Sequence, residues 1–181
     1  MVDSLDIAEV VRSHECSGDE VSYQRALDLL DAERLAWRRS DFLPGHFTAS
    51  GFVASPDGGS LLLIHHGKLG RWLQPGGHFE DIDALVEDAA RREVFEETGV
   101  DSLTRIGSDL ARIDAHPIPA RGDEPAHTHF DLGVGFQAST AHIGPLDEVL
   151  DARWVRFEDL TTYDVDEALL GGAQNLRRFL A

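Results

Sequence analysis

Disulfides, membrane spans and positive charge are what this chain has least of. It holds one cysteine, Cys16, so no intrachain disulfide can form, and the count fits a reducing compartment. No stretch approaches the roughly 18 apolar residues of a membrane-spanning helix. The first six residues, Met1 to Asp6, are acidic and lack the basic and apolar blocks of a secretion signal, so a soluble cytoplasmic protein is the expectation. Lys and Arg together number 16 against 33 Asp and Glu, a formal charge of −17. That balance repels polyanions and argues against a general nucleic-acid-binding role. A small phosphorylated ligand stays open, because a bound divalent cation reverses the sign of the local field.

What is present is the composition of a globular domain. Hydrophobic residues make up 42% of 181 positions, enough for one domain with a sizeable core, or one domain plus an extension. There is no internal repeat and no low-complexity segment. Residues 1–45 read as a helical extension. Ser4 to Glu15 and Asp19 to Arg39 carry apolar residues at helical spacing, separated by Ser17-Gly18-Asp19 and closed by Leu43-Pro44-Gly45. These helices suit a packing element, a homodimer contact or a lid.

From residue 46 to 181 the pattern changes to strands. His46 to Ala54 and Leu61 to Ile64 flank the turn Ser55-Pro56-Asp57-Gly58-Gly59 and read as a hairpin. Further strand-like pieces lie near Leu110–Ile113, His127–Ala138 and Ala152–Val155, and His116-Pro117-Ile118-Pro119 reads as a turn. A helix is expected from Asp83, as its N-cap, to Thr98, with Val86, Ala90 and Val94 on its apolar stripe and Gly99 as its C-terminal cap. A last helix runs from about Asp166 to Leu180. Strands mixed with few helices point to a layered α+β or α/β domain.

The chemistry-bearing segment is Gly76-Gly77-His78-Phe79-Glu80 followed by Arg91 to Val100. Glu93, Glu96 and Glu97 are spaced i, i+3 and i+4, so on a helix they share one face, where like charges repel. A hard divalent cation that takes several oxygen ligands relieves this. Mg²⁺ holds a few carboxylates, keeps some waters, and takes its remaining ligands from phosphate. That donor set suits hydrolysis of a phosphoryl or diphosphate bond, and the glycines let backbone approach the metal or phosphate.

A second polar set lies in His127-Thr128-His129-Phe130-Asp131-Leu132. Phe130, Leu132, Val134 and Phe136 would face a core, which puts His127, His129 and Asp131 together on the other face. They would line a substrate pocket or, as two imidazoles and a carboxylate, hold a metal. Gly133 and Gly135 on that face would leave room for a ligand. Asp123 and Glu124 are further carboxylates outside the acidic helix. Lys68 and Arg71, near the glycine turn, are candidates to meet phosphate.

The segment Gly77 to Val100 resembles the Nudix box, written as Gly, five residues, Glu, seven residues, then Arg-Glu-U-x-Glu-Glu-x-Gly-U with U aliphatic. Arg92-Glu93-Val94-x-Glu96-Glu97-x-Gly99-Val100 matches its second half at every fixed position, and Trp72-x-x-Pro75-Gly76-Gly77 and Arg153-Trp154-Val155 are also similar to the family. The first half departs. Counting forward from Gly77 puts Asp83 at the first Glu but leaves eight residues before Arg92, whereas counting back from Arg92 puts Ala84 there and His78 at the glycine. A one-residue insertion accounts for this.

The resemblance spans about His46 to Ala181. It implies a Nudix-type α/β/α sandwich with a mixed central sheet, preceded by the helical extension. It implies a pyrophosphohydrolase that cuts a diphosphate linkage in a nucleoside diphosphate derivative or similar phosphorylated small molecule. Mg²⁺, or Mn²⁺, would be held by Glu93, Glu96, Glu97 and the carbonyl near Gly77. Arg92 would orient a glutamate, with Glu93 and Glu97 in the catalytic set. His127, His129, Asp131 and Arg71 would contact the substrate. Two alternatives share the fold. An isoprenoid diphosphate isomerase depends on a cysteine inside the domain, and Cys16 lies outside it. A non-catalytic nucleotide sensor tends to lose the box glutamates, and all three are here.

Overall fold

The computed structural model describes residues 4–15, 17–32, 36–144 and 149–181. Cys16 lies outside them, as does Leu35, expected on the second helix.

Helices α1 (Ser4–Ser13) and α2 (Glu20–Asp31) come first. Strands β1 (Gly45–Ala54), β2 (Ser60–His66), β3 (Arg71–Leu73) and β4 (Gly76–His78) follow, then helix α3 (Val86–Thr98). Strands β5 (Leu103–Ile118), β6 (His127–Ala138) and β7 (Asp151–Arg156) complete the sheet, and a short 3-10 turn leads to helix α4 (Glu167–Leu180). One mixed sheet runs β3-β2-β1-β6-β5, with β4 also paired to β1 and β7 to β2. β1 and β6 are parallel and the other pairs antiparallel, and helices cover both faces.

Alternation along β1 decides what each face carries. Phe47, Ala49 and Val53 enter the core that also holds Val86, Ala90 and Val94 of α3. Gly51 lies on this face, and a Cβ there would stand 2.4 Å from Val94 Cγ2, so glycine sets how closely α3 approaches the sheet. Phe52 and Ala54 point the other way, into a second core beneath Leu169, Ala173 and Leu176 of α4. His46, Thr48 and Ser50 share that second face but lie toward the start of the strand.

The N-terminal helices join the first core through Ile7, Val11, Ala26, Leu29 and Leu30. They also satisfy backbone groups elsewhere. Asp6 Oδ2 accepts from Val86 N at 2.6 Å, capping α3 from another helix. Asp19 Oδ2 and Ser22 Oγ accept from Ile113 N and Ala115 N on β5, at 2.8 and 3.0 Å. β5 is the last strand of the sheet path, and such donors would otherwise be left for another chain to pair with.

Several local expectations are corrected. α3 begins at Val86 with Leu85 as N-cap, not at Asp83, because Asp83 accepts from Glu80 N and is engaged by Arg92. α2 ends at Asp31, short of Arg39; Trp37 is buried, but outside the helix. The segment 116–118 is not a turn but the end of the long strand β5, where His116 pairs with His129. Gly133 and Gly135 leave no ligand space. A Cβ on Gly133 would meet the Phe52 ring at 2.6 Å, and one on Gly135 would crowd Ile106 O and Leu176. Gly99 does cap α3, with φ 68° and its N–H on Phe95 O.

Candidate active site

The acidic face of α3 meets the glycine turn of β4. Glu97, nearly buried, accepts from Gly76 N at 2.9 Å. Gly77 sits against Glu93, where a Cβ would fall 2.6 Å from a carboxylate oxygen, so only glycine lets the carboxylate stand over the strand. Glu96 lies at the outer margin, its side chain 39% exposed.

Arg92 ties the cluster together. Its Nε and Nη2 grip both oxygens of Asp83 at 3.1 and 3.0 Å, a bidentate pair with Asp83 almost fully buried. Nη1 donates to Glu93 and Glu96, both at 2.9 Å, and Nη2 also donates to the His78 carbonyl at 2.8 Å. Burial alone would lower the arginine's pKa, but Asp83 and Glu93 more than offset it, and the guanidinium stays charged.

The two ways of counting the box put different residues at its first acidic position, and these differ in their surroundings. Asp83, counted forward from Gly77, engages Arg92; Ala84, counted backward, is exposed. The geometry also changes the electrostatic account. Part of the repulsion among the glutamates is relieved by Arg92 itself. Taken together, Arg92, Asp83, Glu93, Glu96 and Glu97 carry a formal excess of three negative charges.

The opposite sheet face carries a cluster of imidazoles. Parallel pairing sets His46 beside His129, and antiparallel pairing sets His116 on the other side of His129. His127 stands two residues before His129 on the same face, and His78 projects from β4. The His46 ring lies 5.1 Å from those of His78 and His127 and 4.7 Å from that of His129. Burial, reinforced by the neighbouring imidazoles, pushes the pKa of His78 down to about 4 and that of His129 to about 2. Burial also lowers His46. Burial pushes His116 down, but its hydrogen bond to Asp114 together with the charges of Asp114, Asp131 and Asp166 outweighs that, and its pKa moves upward.

Of the expected substrate contacts, the structure brings His127 and His129 together, but Asp131 faces inward. Its oxygens accept from Thr48 Oγ1 at 3.0 Å and Ser50 Oγ at 2.5 Å, and burial raises its pKa despite both bonds. These bonds tie β6 to β1. Arg71 lies on β3 and pairs with Asp166 at 3.3 Å. Glu124 is taken up by Arg39.

Sequence reasoning did not single out His46, His78 or His116. The alternation of His46, Thr48 and Ser50 with Phe47, Ala49 and Gly51 was a signal for the first. Its partner strand depended on a parallel register that local pattern does not contain.

A NUDIX domain model matches residues 45–180. No curated protein matches the chain. Among solved structures, a NUDIX-family hydrolase from Clostridium perfringens is 25% identical, with TM-score 0.56 over 75% of this chain and 98% of its own. The E. coli dihydroneopterin triphosphate pyrophosphohydrolase is 16% identical, with TM-score 0.57 over 81% of this chain and 97% of its own. A C. elegans Ap4A hydrolase is 17% identical, with TM-score 0.55 over 74% and 96%. The last two likenesses concern the fold alone. The match across the domain, with the arginine–carboxylate cluster set over a glycine turn, identifies this chain as a member of the Nudix hydrolase family.

Proposed function

We propose that the chain is a divalent-metal-dependent hydrolase that cuts a diphosphate linkage in a nucleoside diphosphate derivative or similar phosphorylated small molecule. The observation that carries this reading is the junction of α3 and β4. There Glu97 is fixed by Gly76 N–H, Glu93 stands over Gly77 where a methyl group would not fit, and the Arg92 guanidinium bridges Asp83, Glu93 and Glu96.

The donor set is made of hard oxygens with a negative excess, which fits Mg²⁺ or Mn²⁺. Glu93, Glu96, Glu97 and the Gly77 carbonyl would hold it. Such an ion supplies charge neutralisation at phosphate oxygens and a water of lowered pKa.

The chain's own residues do the positioning. Arg92 holds Glu93 and Glu96 by charge-assisted hydrogen bonds, and Asp83 holds Arg92. Glu97 is oriented by a backbone donor that no side-chain motion can withdraw. Glu93 and Glu97 are the carboxylates closest to the turn; one carboxylate of the cluster, or a residue from a later loop, would take the proton of the attacking water, a step worth roughly 10²–10⁴-fold. Arg71, at the rim on β3, would meet substrate phosphate by exchanging its Asp166 partner.

The test is Glu97→Gln with a substrate panel. ADP-ribose, a dinucleoside tetraphosphate and a pterin or nucleoside triphosphate are incubated with MgCl₂, and the products are identified by phosphorus NMR. Wild type should release phosphorus products from at least one compound class. The glutamine keeps an oxygen for Gly76 N–H, so E97Q should melt like wild type and lose at least about 100-fold in turnover. Wild-type-like turnover in E97Q, or tight binding of the panel with no product from wild type, would refute the reading.

A further inference from the structure

The imidazole cluster has a property that the carboxylate site does not explain. His46 is fully buried, and its Nε2 has no hydrogen-bond partner among the described residues. A buried polar atom left so costs about 1–3 kcal/mol unless something occupies it. The proton position can be deduced. His46 Nδ1 lies 3.1 Å from the Asp41 carbonyl, and His127 Nδ1 lies 2.8 Å from the Pro125 carbonyl. A carbonyl only accepts, so Nδ1 carries the hydrogen in both rings, and in the neutral imidazole Nε2 keeps its lone pair. A histidine that ligates through one nitrogen almost always donates the other N–H to such a group. One ligand nitrogen from each of His46, His127 and His129 lies within 4.8 Å of the others.

We propose that His46, His127 and His129 form a second cation site, for a transition-metal ion of the Zn²⁺ class, on the sheet face opposite the carboxylate cluster. Tetrahedral Zn²⁺ with bonds of about 2.0–2.1 Å spaces its nitrogens roughly 3.4 Å apart, and small ring rotations close the remaining gap. Three imidazoles are poor ligands for Mg²⁺ and good ones for Zn²⁺, Co²⁺ or Ni²⁺, so the two sites select different ions. His78, whose ring lies 5.1 Å from those of His46 and His129, or a water or substrate oxygen would supply a fourth ligand. Phe42 sits edge-on to His127 at 5.1 Å and closes one side. A purely aromatic stack of neutral histidines would explain the ring spacings but not the bare, buried Nε2.

The experiment uses the full chain, stripped with a chelator and then titrated with CoCl₂ in millimolar MgCl₂. One equivalent of Co²⁺ should give the visible absorption of a low-coordinate nitrogen-ligated site, and ZnCl₂ should bleach it. His46→Asn and His127→Asn each keep a donor for the backbone carbonyl while removing the ligating nitrogen, and His129→Asn removes the third ligand. Loss of a ligand should weaken binding by more than the 10–100-fold typical of losing an outer partner. Glu97→Gln should bind Co²⁺ as wild type does, which separates this site from the hydrolytic one. Melting curves confirm that each variant folds. No absorption in wild type, or Co²⁺ uptake lost in E97Q but unchanged in folded H46N, H127N and H129N, would overturn the proposal whatever the hydrolase assay shows.

Discussion

Replacing Arg92 by lysine keeps the charge and removes the fork. Arginine makes five hydrogen bonds here: two to Asp83, one each to Glu93 and Glu96, and one to the His78 carbonyl. An ammonium has three donors radiating from one atom and cannot span Asp83 and Glu93 together. At least two bonds are lost. The one to Glu96, more than a third exposed, counts for little. The rest involve groups that are mostly buried, where a bond to a charged partner contributes about 1.5–3 kcal/mol. R92K should therefore cost about 2–4 kcal/mol, or roughly 5–15 °C in melting temperature for a domain of this size.

Turnover should also fall, by about 10–100-fold, because Glu93 loses the group that orients it. Melting followed by circular dichroism and Mg²⁺-dependent hydrolysis of the best substrate in the panel would measure both. Asp83→Asn should reproduce much of the effect, and the double variant R92K/D83N should cost less than the sum. Ala84→Glu, which installs an acid where the backward count of the box would put one, should change neither readout. An R92K protein that melts within about 1 °C of wild type, at a typical 2–4 °C per kcal/mol, would show that the cluster is not organised by the guanidinium.

Three other consequences are measurable. Gly51→Ala would force its Cβ into Val94 and should destabilise by about 1–3 kcal/mol, with Val94→Ala in the same chain restoring part of the loss. Asp6→Ala removes the carboxylate that accepts from Val86 N and should cost about 0.5–2 kcal/mol, the range for a lost helix cap. His14 is buried between Asp19 and Asp109; burial lowers its pKa, but the two hydrogen bonds outweigh that and the net shift is upward. The folded chain thus holds this proton more tightly than the unfolded one, so the stabilisation is full below about pH 6.5 and is lost as pH rises through the folded pKa. In urea melts across that window, the gap between wild type and His14→Gln should shrink with rising pH; a gap that widened would contradict the assignment. The downward-shifted His78 and His129 act in the opposite sense and are present in both proteins, so the difference isolates His14.

What the sequence made legible was local. The stripe Val86, Ala90 and Val94, the cap at Gly99 and the spacing of Glu93, Glu96 and Glu97 all follow from helical periodicity, and each lies where that periodicity puts it. The inward set Phe130, Leu132, Val134 and Phe136 follows equally from strand alternation. What local pattern could not carry was pairing between distant segments. Asp83 reads as a helix cap until Arg92, nine residues later, claims both its oxygens. The bonds from Thr48 and Ser50 to Asp131 depend on a parallel register between segments 81 to 83 residues apart. Gly133 reads as open space until Phe52, from the neighbouring strand, fills it.

β4 shows why such pairing matters for chemistry. Its three residues alternate like any strand, so consecutive positions address different faces. Gly76 gives its N–H to Glu97, and Gly77 yields its side-chain space to Glu93. His78 sends its ring into the imidazole cluster while its carbonyl accepts from Arg92. The short strand is held to β1 by the register Thr48 to His78 and Ser50 to Gly76, and Thr48 and Ser50 are the residues that hold Asp131. A displacement of β4 therefore cannot disturb the carboxylates without also moving His78. The buried Asp131, through its bonds to Thr48 and Ser50, ties that strand's neighbour to β6.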